Sequence, residues 1–282
     1  MPTAPVARAS YTHLLCADPD TGVPVGVGGM LPDGLTFGAA NGVLPDPAPS
    51  ARCDTRAPVI ALAGPSPVTP RRGDAAWLDY AAPADVTVLG GALYRQGSVG
   101  GGWAWSIGDA ERCSPAEGCT QRGLADRRFA AVNRVATSGP FRIALVCEEA
   151  TCQPEAGQVV RLFGARITLR DDATPRLTAP ASGSLVTDPA LTGSETITLS
   201  AADAGAGLYR VRASVDGTPL ATRTLCADDG PHTFTTRRPC PTALGAHTLA
   251  FDTTAWPKAG RLRIHLEDAG RNTTTVLNRR LG

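Results

Sequence analysis

The most chemically suggestive stretch of the 282-residue chain is VGGGWAWSIGDAERCSPAEGC, Val99–Cys119. Two tryptophans two residues apart follow a glycine run and precede a close cysteine pair. Side chains alternate along a strand, so Trp103, Trp105 and Ile107 share one face and Ala104 and Ser106 the other. Exposed, two such rings form a stacking platform for a sugar; buried, they are core, because an indole gains much by leaving water. Both readings are open at this stage. Trp77 and Tyr94 complete a candidate ligand-binding set of Trp103, Trp105, Trp77 and Tyr94. The glycine run lacks the Gly-Lys-Ser/Thr ending and the following helix of a phosphate loop.

Other chemistries find little footing, and no catalytic residue is assigned. Glycoside hydrolysis needs two carboxylates at a fixed short separation. The seven glutamates are Glu111, Glu117, Glu148, Glu149, Glu155, Glu195 and Glu267. Glu148 and Glu149 are adjacent and would face opposite sides of a strand. No serine lies in a Gly-x-Ser-x-Gly elbow; Ser98 has Gln96 where the first glycine belongs. His13, His232, His247 and His265 read as strand or loop residues in packing or surface roles. Arg72–Gly73–Asp74 matches an adhesion tripeptide but reads as a turn. Asn272–Thr273–Thr274 is a glycosylation sequon. No cofactor is called for, and no metal site is assigned. A structural calcium ion is the one option, because Asp171, Asp172, Asp188, Asp203 and Asp268 fall where loops could gather them, although no EF-hand spacing is present.

Eight cysteines bound the compartment: Cys16, Cys53, Cys113, Cys119, Cys147, Cys152, Cys226 and Cys240. Zinc sites use pairs two to four residues apart with matching partners, and no histidine lies near Cys147–Cys152. Disulfides fit better, and loop proximity favours Cys16–Cys53, Cys113–Cys119, Cys147–Cys152 and Cys226–Cys240. An oxidising, extracellular or cell-surface location follows. The start, MPTAPVARASYTHLLC, lacks the continuous apolar core of an export signal, so the expectation is an exported chain whose leader has been removed. No apolar run approaches transmembrane length, so no membrane insertion is expected. A net charge of +1 excludes a generally basic nucleic-acid binder.

The elements that must position these residues are strands. FRIALVC places Phe141, Ile143, Leu145 and Cys147 on one face, and LFGARITLR does so with Phe163, Ala165, Ile167 and Leu169. YRVRASVDG turns Tyr209, Val211, Ala213 and Val215 inward; RLRIHLED buries Leu262, Ile264 and Leu266 and exposes Arg263, His265 and Glu267. A period of two with one polar face marks half-buried antiparallel strands. Residues 18–75 predict a long loop with one or two short strands, and Thr120–Ala131 at most one helical turn. RDDATPRLTAPASGS, with Pro175 and Pro180, reads as a linker between units 1–172 and 173–282.

ETITLSAADAGAGLYRVRASVDGT and HTLAFDTTAWPKAGRLRIHLEDAGRNTTTV resemble bacterial immunoglobulin-like domains of secreted and cell-surface proteins. Asp268, Gly270 and Asn272 resemble the closing turn of such domains, offset by Arg271. AAWLDYAAPADVTVLGGALYR, GGWAWSIGD and RIALVC…VVRLFGARITLRDD more loosely resemble concanavalin-like jelly rolls of exported actinobacterial proteins. The Glu-x-Asp-x-x-Glu strand of the hydrolases in that family is absent. These resemblances imply an all-β chain, a jelly-roll sandwich followed by an immunoglobulin-like sandwich. The second resemblance implies carbohydrate binding, glycan cleavage or scaffolding without choosing among them; with no recognisable catalytic motif, the expected role is non-catalytic binding or adhesion, with a glycan or cell-surface polymer as partner. The alternatives are a self-associating subunit of an extracellular assembly and a divergent glycan hydrolase or lyase.

Overall fold

The computed structural model describes residues 9–18, 21, 23–25, 33–40, 60–63, 69–97, 100–108, 111–119, 133–135, 141–153, 159–227 and 232–282. Strands dominate. The first half contributes β1 (Ser10–Leu15), β2 (Leu35–Ala40), β3 (Ile60–Ala63), β4 (Ala75–Tyr80), β5 (Val86–Gly97) and β6 (Trp103–Ile107). It continues with β7 (Glu111–Ser114), β8 (Gly118–Cys119), β9 (Asn133–Val135), β10 (Phe141–Cys147) and β11 (Val159–Asp171). The second half opens with β12 (Arg176–Ser182), the four-residue helix α1 (Ser184–Thr187), β13 (Ser194–Ala202), β14 (Leu208–Val215) and β15 (Thr218–Thr224). It closes with β16 (Thr233–Phe234), β17 (Ala243–Asp252), β18 (Gly260–Asp268) and β19 (Thr273–Leu281).

The strands form two pairs of facing sheets. One sheet has the order β16-β1-β11-β5-β9, with β3 also on β11; it faces β2-β4-β10-β6-β7-β8. Leu15, Leu93, Ile167 and Leu169 meet Leu78, Ile107, Ile143 and Leu145 in their shared core. The second pair is β12-β13-β17 against β15-β14-β18-β19, closed over Ile197, Leu199, Val211, Phe251, Leu262 and Ile264. The fold is all-β, as the alternating pattern requires. Where one or two short strands are expected in residues 18–75, β2 and β3 form; Thr120–Ala131 lies outside the described residues. No helix among the described residues is long and apolar enough to cross a membrane.

Two local departures from simple alternation have bulges as their cause. A register shift between Leu162 and Gly164 puts Leu162, rather than Phe163, among the core residues with Ala165 and Ile167. Another between Leu208 and Arg210 gives Leu208 to the second core and turns Tyr209 toward the first.

The halves are also joined by an exchanged segment. Cys226 and Cys240 form the expected disulfide, and the chain between them sends β16 across to pair in parallel with β1. Thr12 N donates to His232 O at 2.8 Å, and Tyr11 Oη donates to Arg237 O at 2.5 Å. Phe234, Tyr209, Ala206 and Ala269 thereby join the first core. This segment corrects one expectation. Glu267 belongs to a strand's polar face, yet it is 3% exposed, because residues 232–234 cover that face. There it pairs with Arg210 at 2.8 Å and Arg212 at 3.0 Å.

The Cys147–Cys152 disulfide also forms as expected. Cys16 and Cys113 are disulfide-bonded as well, and Cys113 stands opposite Cys119 in the β7–β8 pair. Cys53 lies outside the described residues. Disulfides support an oxidising compartment.

Candidate functional site

The aromatic set divides. Trp103 and Trp105 are 2% and 4% exposed and pack with Ile107 in the first core. They share a face, as their spacing demands, but that face looks inward. The stacking platform expected of them is therefore corrected: large apolar rings between two sheets gain more from burial than from display. Trp103 Nε1 donates to Gln153 O at 3.0 Å. The Trp105 ring lies 5.2 Å from the guanidinium carbon of Arg95, which forms a buried ion pair with Glu111. The backbone of Tyr94 pairs with Gly164 on β11.

Trp77 faces the other way. Leu78 and Tyr80 point into the core, so Trp77 and Asp79 emerge on the outer side of the sheet, half-buried. Strand register puts Trp77 in one row, Gly38–Trp77–Ala144–Ser106–Arg112, running across five strands. Gly38 has a steric reason: a Cβ there would lie 2.3 Å from the Trp77 indole nitrogen. The indole thus rests on bare backbone. Arg142 stacks on it, with its guanidinium carbon 4.7 Å from the ring centroid. Asp79 holds that guanidinium by bidentate bonds of 2.7 and 2.8 Å. Beyond the indole the row passes through Ala144 and Ser106, both small, before it ends in Arg112, which pairs with Glu148.

The other sequence candidates are spent on structure. Asp74 of the Arg-Gly-Asp tripeptide is buried and accepts from Arg71 N at 2.7 Å. Asn272 of the sequon donates its side-chain amide to Asp171 O at 2.9 Å and Ala173 O at 2.6 Å. Glu148 pairs with Arg112, and Glu149 is exposed in the Cys147–Cys152 loop. Ser98 lies outside the described residues. His13 is fully buried: Tyr80 Oη donates to Nδ1 at 2.9 Å, and Nε2 donates to Thr235 O at 3.2 Å. Burial pulls its pKa down to about 4, so the ring is neutral near pH 7. His232 donates from Nδ1 to Ala269 O at 2.9 Å and is also held below its ordinary pKa by burial.

Three of the five aspartates named for calcium do meet. Asp171 ends β11, Asp203 follows β13, and Asp268 ends β18. One carboxylate oxygen from each lies within 4.8 Å of the other two, and all three residues are buried. Asp188 and Asp172 are exposed and outside the group. Burial raises all three pKa values, Asp171 to about 6 and Asp268 to about 8. Facing carboxylates add to the shift at Asp171 and Asp268.

No protein-family model matches the chain, and no curated protein matches it. Among solved structures, the glycoside hydrolase domain of Spr0440, Endo-D, from Streptococcus pneumoniae R6 aligns at 9% identity with a TM-score of 0.21. It covers 79% of this chain and 33% of that one. A Paenibacillus xanthan lyase aligns at 13% identity with a TM-score of 0.17, covering 75% of this chain and 24% of that one. The chain thus spans a third or less of either structure, and nothing about activity is carried over from them.

Proposed function

We propose that the protein is an exported, non-catalytic binding protein, with carbohydrate as its ligand class. We further propose two domains: a jelly-roll sandwich over residues 1–172 that carries the binding face, and an immunoglobulin-like sandwich over residues 173–282 that presents it. The observation that supports this reading is the outer row Gly38–Trp77–Ala144–Ser106–Arg112. The half-buried indole, with the Arg142 guanidinium stacked on it and small residues beside it, supports a flat outer surface that a sugar ring could meet. The Arg142–Asp79 pair beside it offers directional hydrogen bonds to hydroxyls. The site is therefore centred on Trp77, with Arg142 replacing the buried Trp103 and Trp105. Disulfides support the extracellular setting.

A glycan array probed with the full chain, and repeated with Trp77→Ala, tests the proposal. Losing one aromatic stack corresponds to about a tenfold weakening of affinity. A glycan bound by the wild type and lost by the variant is the expected result. Binding to no glycan, or equal binding by both proteins, overturns it.

A further inference from the structure

We propose that Asp171, Asp203 and Asp268 form a calcium site that ties the end of β11 to the two turns of the second half facing it. Each carboxylate already uses oxygen on local backbone. Asp171 Oδ1 accepts from Ala173 N at 2.9 Å, and Oδ2 from Ala206 N at 2.6 Å. Asp203 Oδ2 accepts from Gly207 N at 2.7 Å, and Asp268 Oδ1 from Asn272 N at 2.7 Å. These bonds fix the three carboxylates and explain their place at turns. They do not account for what remains. Asp203 Oδ1 and Asp268 Oδ2 are buried and find no hydrogen-bond partner among the described residues, and they belong to two of the three converging groups. A buried polar atom left unpaired costs free energy, and two in one anionic cluster cost more.

A single cation satisfies both oxygens and offsets the repulsion. The donors are all carboxylate oxygen, with no nitrogen or sulfur, which selects a hard ion. Calcium bonds of about 2.3–2.6 Å span oxygens up to about 4.8 Å apart. Calcium also accepts irregular geometry, whereas magnesium needs a near-ideal octahedron and keeps several waters that this dry site would have to strip. An approach exists beside it. A groove of about 600 Å³ is lined by Asp85, Val86, Thr87, Asp172, Ala173 and Ala204. Two of these are carboxylates, and Asp172 and Ala204 directly follow two of the proposed ligands. The groove attracts cations toward the buried cluster.

The test uses the full chain, stripped with a chelator and exchanged into metal-free buffer. Calcium chloride is titrated calorimetrically, and thermal unfolding is followed with calcium, with magnesium and with neither. The expected result is one calcium per chain and a rise in Tm of about 5–10 °C at calcium a hundredfold above its Kd. Magnesium at the same concentration gives a smaller rise. Asp268→Asn should abolish the calcium response. Asp203→Asn serves the same purpose if the first variant does not fold. No binding heat with an unchanged Tm in the wild type overturns the site. So does a calcium response that survives either substitution, or a magnesium response equal to that of calcium. A variant that is more stable than the wild type while the wild type ignores calcium would show that the carboxylates share a proton, which also refutes the proposal.

Discussion

Replacing His13 should remove a defined part of the protein's sensitivity to acid. The ring is fully buried in β1, with Tyr80 Oη donating to one nitrogen and Thr235 O accepting from the other. The Thr235 carbonyl fixes a proton on Nε2, which leaves Nδ1 of the neutral ring to accept from the Tyr80 hydroxyl. The charged groups around it are Asp33, which favours the imidazolium, and Arg237, which opposes it; the Tyr80 phenol stays protonated, its pKa raised by burial. Burial outweighs these and lowers the folded pKa to about 4, against about 6.5 in the unfolded chain. The folded state therefore binds fewer protons, so the contribution is present above pH 6.5 and is lost as pH falls toward 4. Linkage puts the loss at about 2 kcal/mol by pH 5 and about 3 kcal/mol by pH 4. Urea unfolding of the wild type and of His13→Gln at pH 7 and pH 5 measures it. Carboxylates that titrate in the same window cancel in the difference between the proteins. The wild type should lose about 2 kcal/mol more than the variant over that interval. An equal loss in both would refute the argument. A nuclear magnetic resonance titration of the His13 ring in the wild type checks it independently, and a midpoint near 6.5 would refute it equally.

Two further perturbations probe the buried polar contacts. Glu111→Ala removes the carboxylate that pairs with Arg95 beneath Trp105, both side chains being 3% exposed, and should cost about 3–5 kcal/mol in urea unfolding; a cost below about 1 kcal/mol would mean that water already reaches the pair. Asn272→Ala takes two amide bonds from the linker carbonyls of Asp171 and Ala173 and should cost about 2 kcal/mol, with faster amide exchange over residues 171–175 and 203–207. Unchanged exchange there would show that the linker is held by other contacts.

What the sequence conveys is local. Val211, Ala213 and Val215 on β14, and Leu262, Ile264 and Leu266 on β18, announce themselves by period two, and burial follows. Cys147–Cys152 and Cys226–Cys240 pair with near neighbours. The shared face of Trp103, Trp105 and Ile107 is equally plain, but alternation cannot say which side of a sheet is covered. Trp77 shows the complementary difficulty. Its exposure depends on Gly38, a partner brought in from another strand, and a lone glycine in FGAA gives no sign of an indole resting on it. Glu267 looks like a surface group and His13 like a residue leading into an apolar strand because the segment that buries them, residues 232–235, is distant in the chain. The three junction aspartates sit among many turn aspartates. Only the fold separates them from Asp188, which points to solvent.

The join between the halves has a physical consequence. Its apolar part is small: Phe234 packs edge-on against Tyr11 at 6.0 Å and Tyr209 at 6.1 Å. The rest is polar and directional, with Glu267 between Arg210 and Arg212, His13 between Tyr80 and Thr235, and Arg237 on Asp33 and Ala81 O. An apolar contact tolerates sliding, whereas a buried ion pair or hydrogen bond loses its energy when displaced and leaves desolvated groups behind. Such an interface contributes modestly to net stability but strongly favours one orientation. Asp171 adds to this, because Gly205 and Gly270 of the second half pack so tightly on its side chain that a Cβ at either would clash. The linker carboxylate is held as a plug rather than as a hinge. A cation bound there would stiffen a junction already fixed in direction.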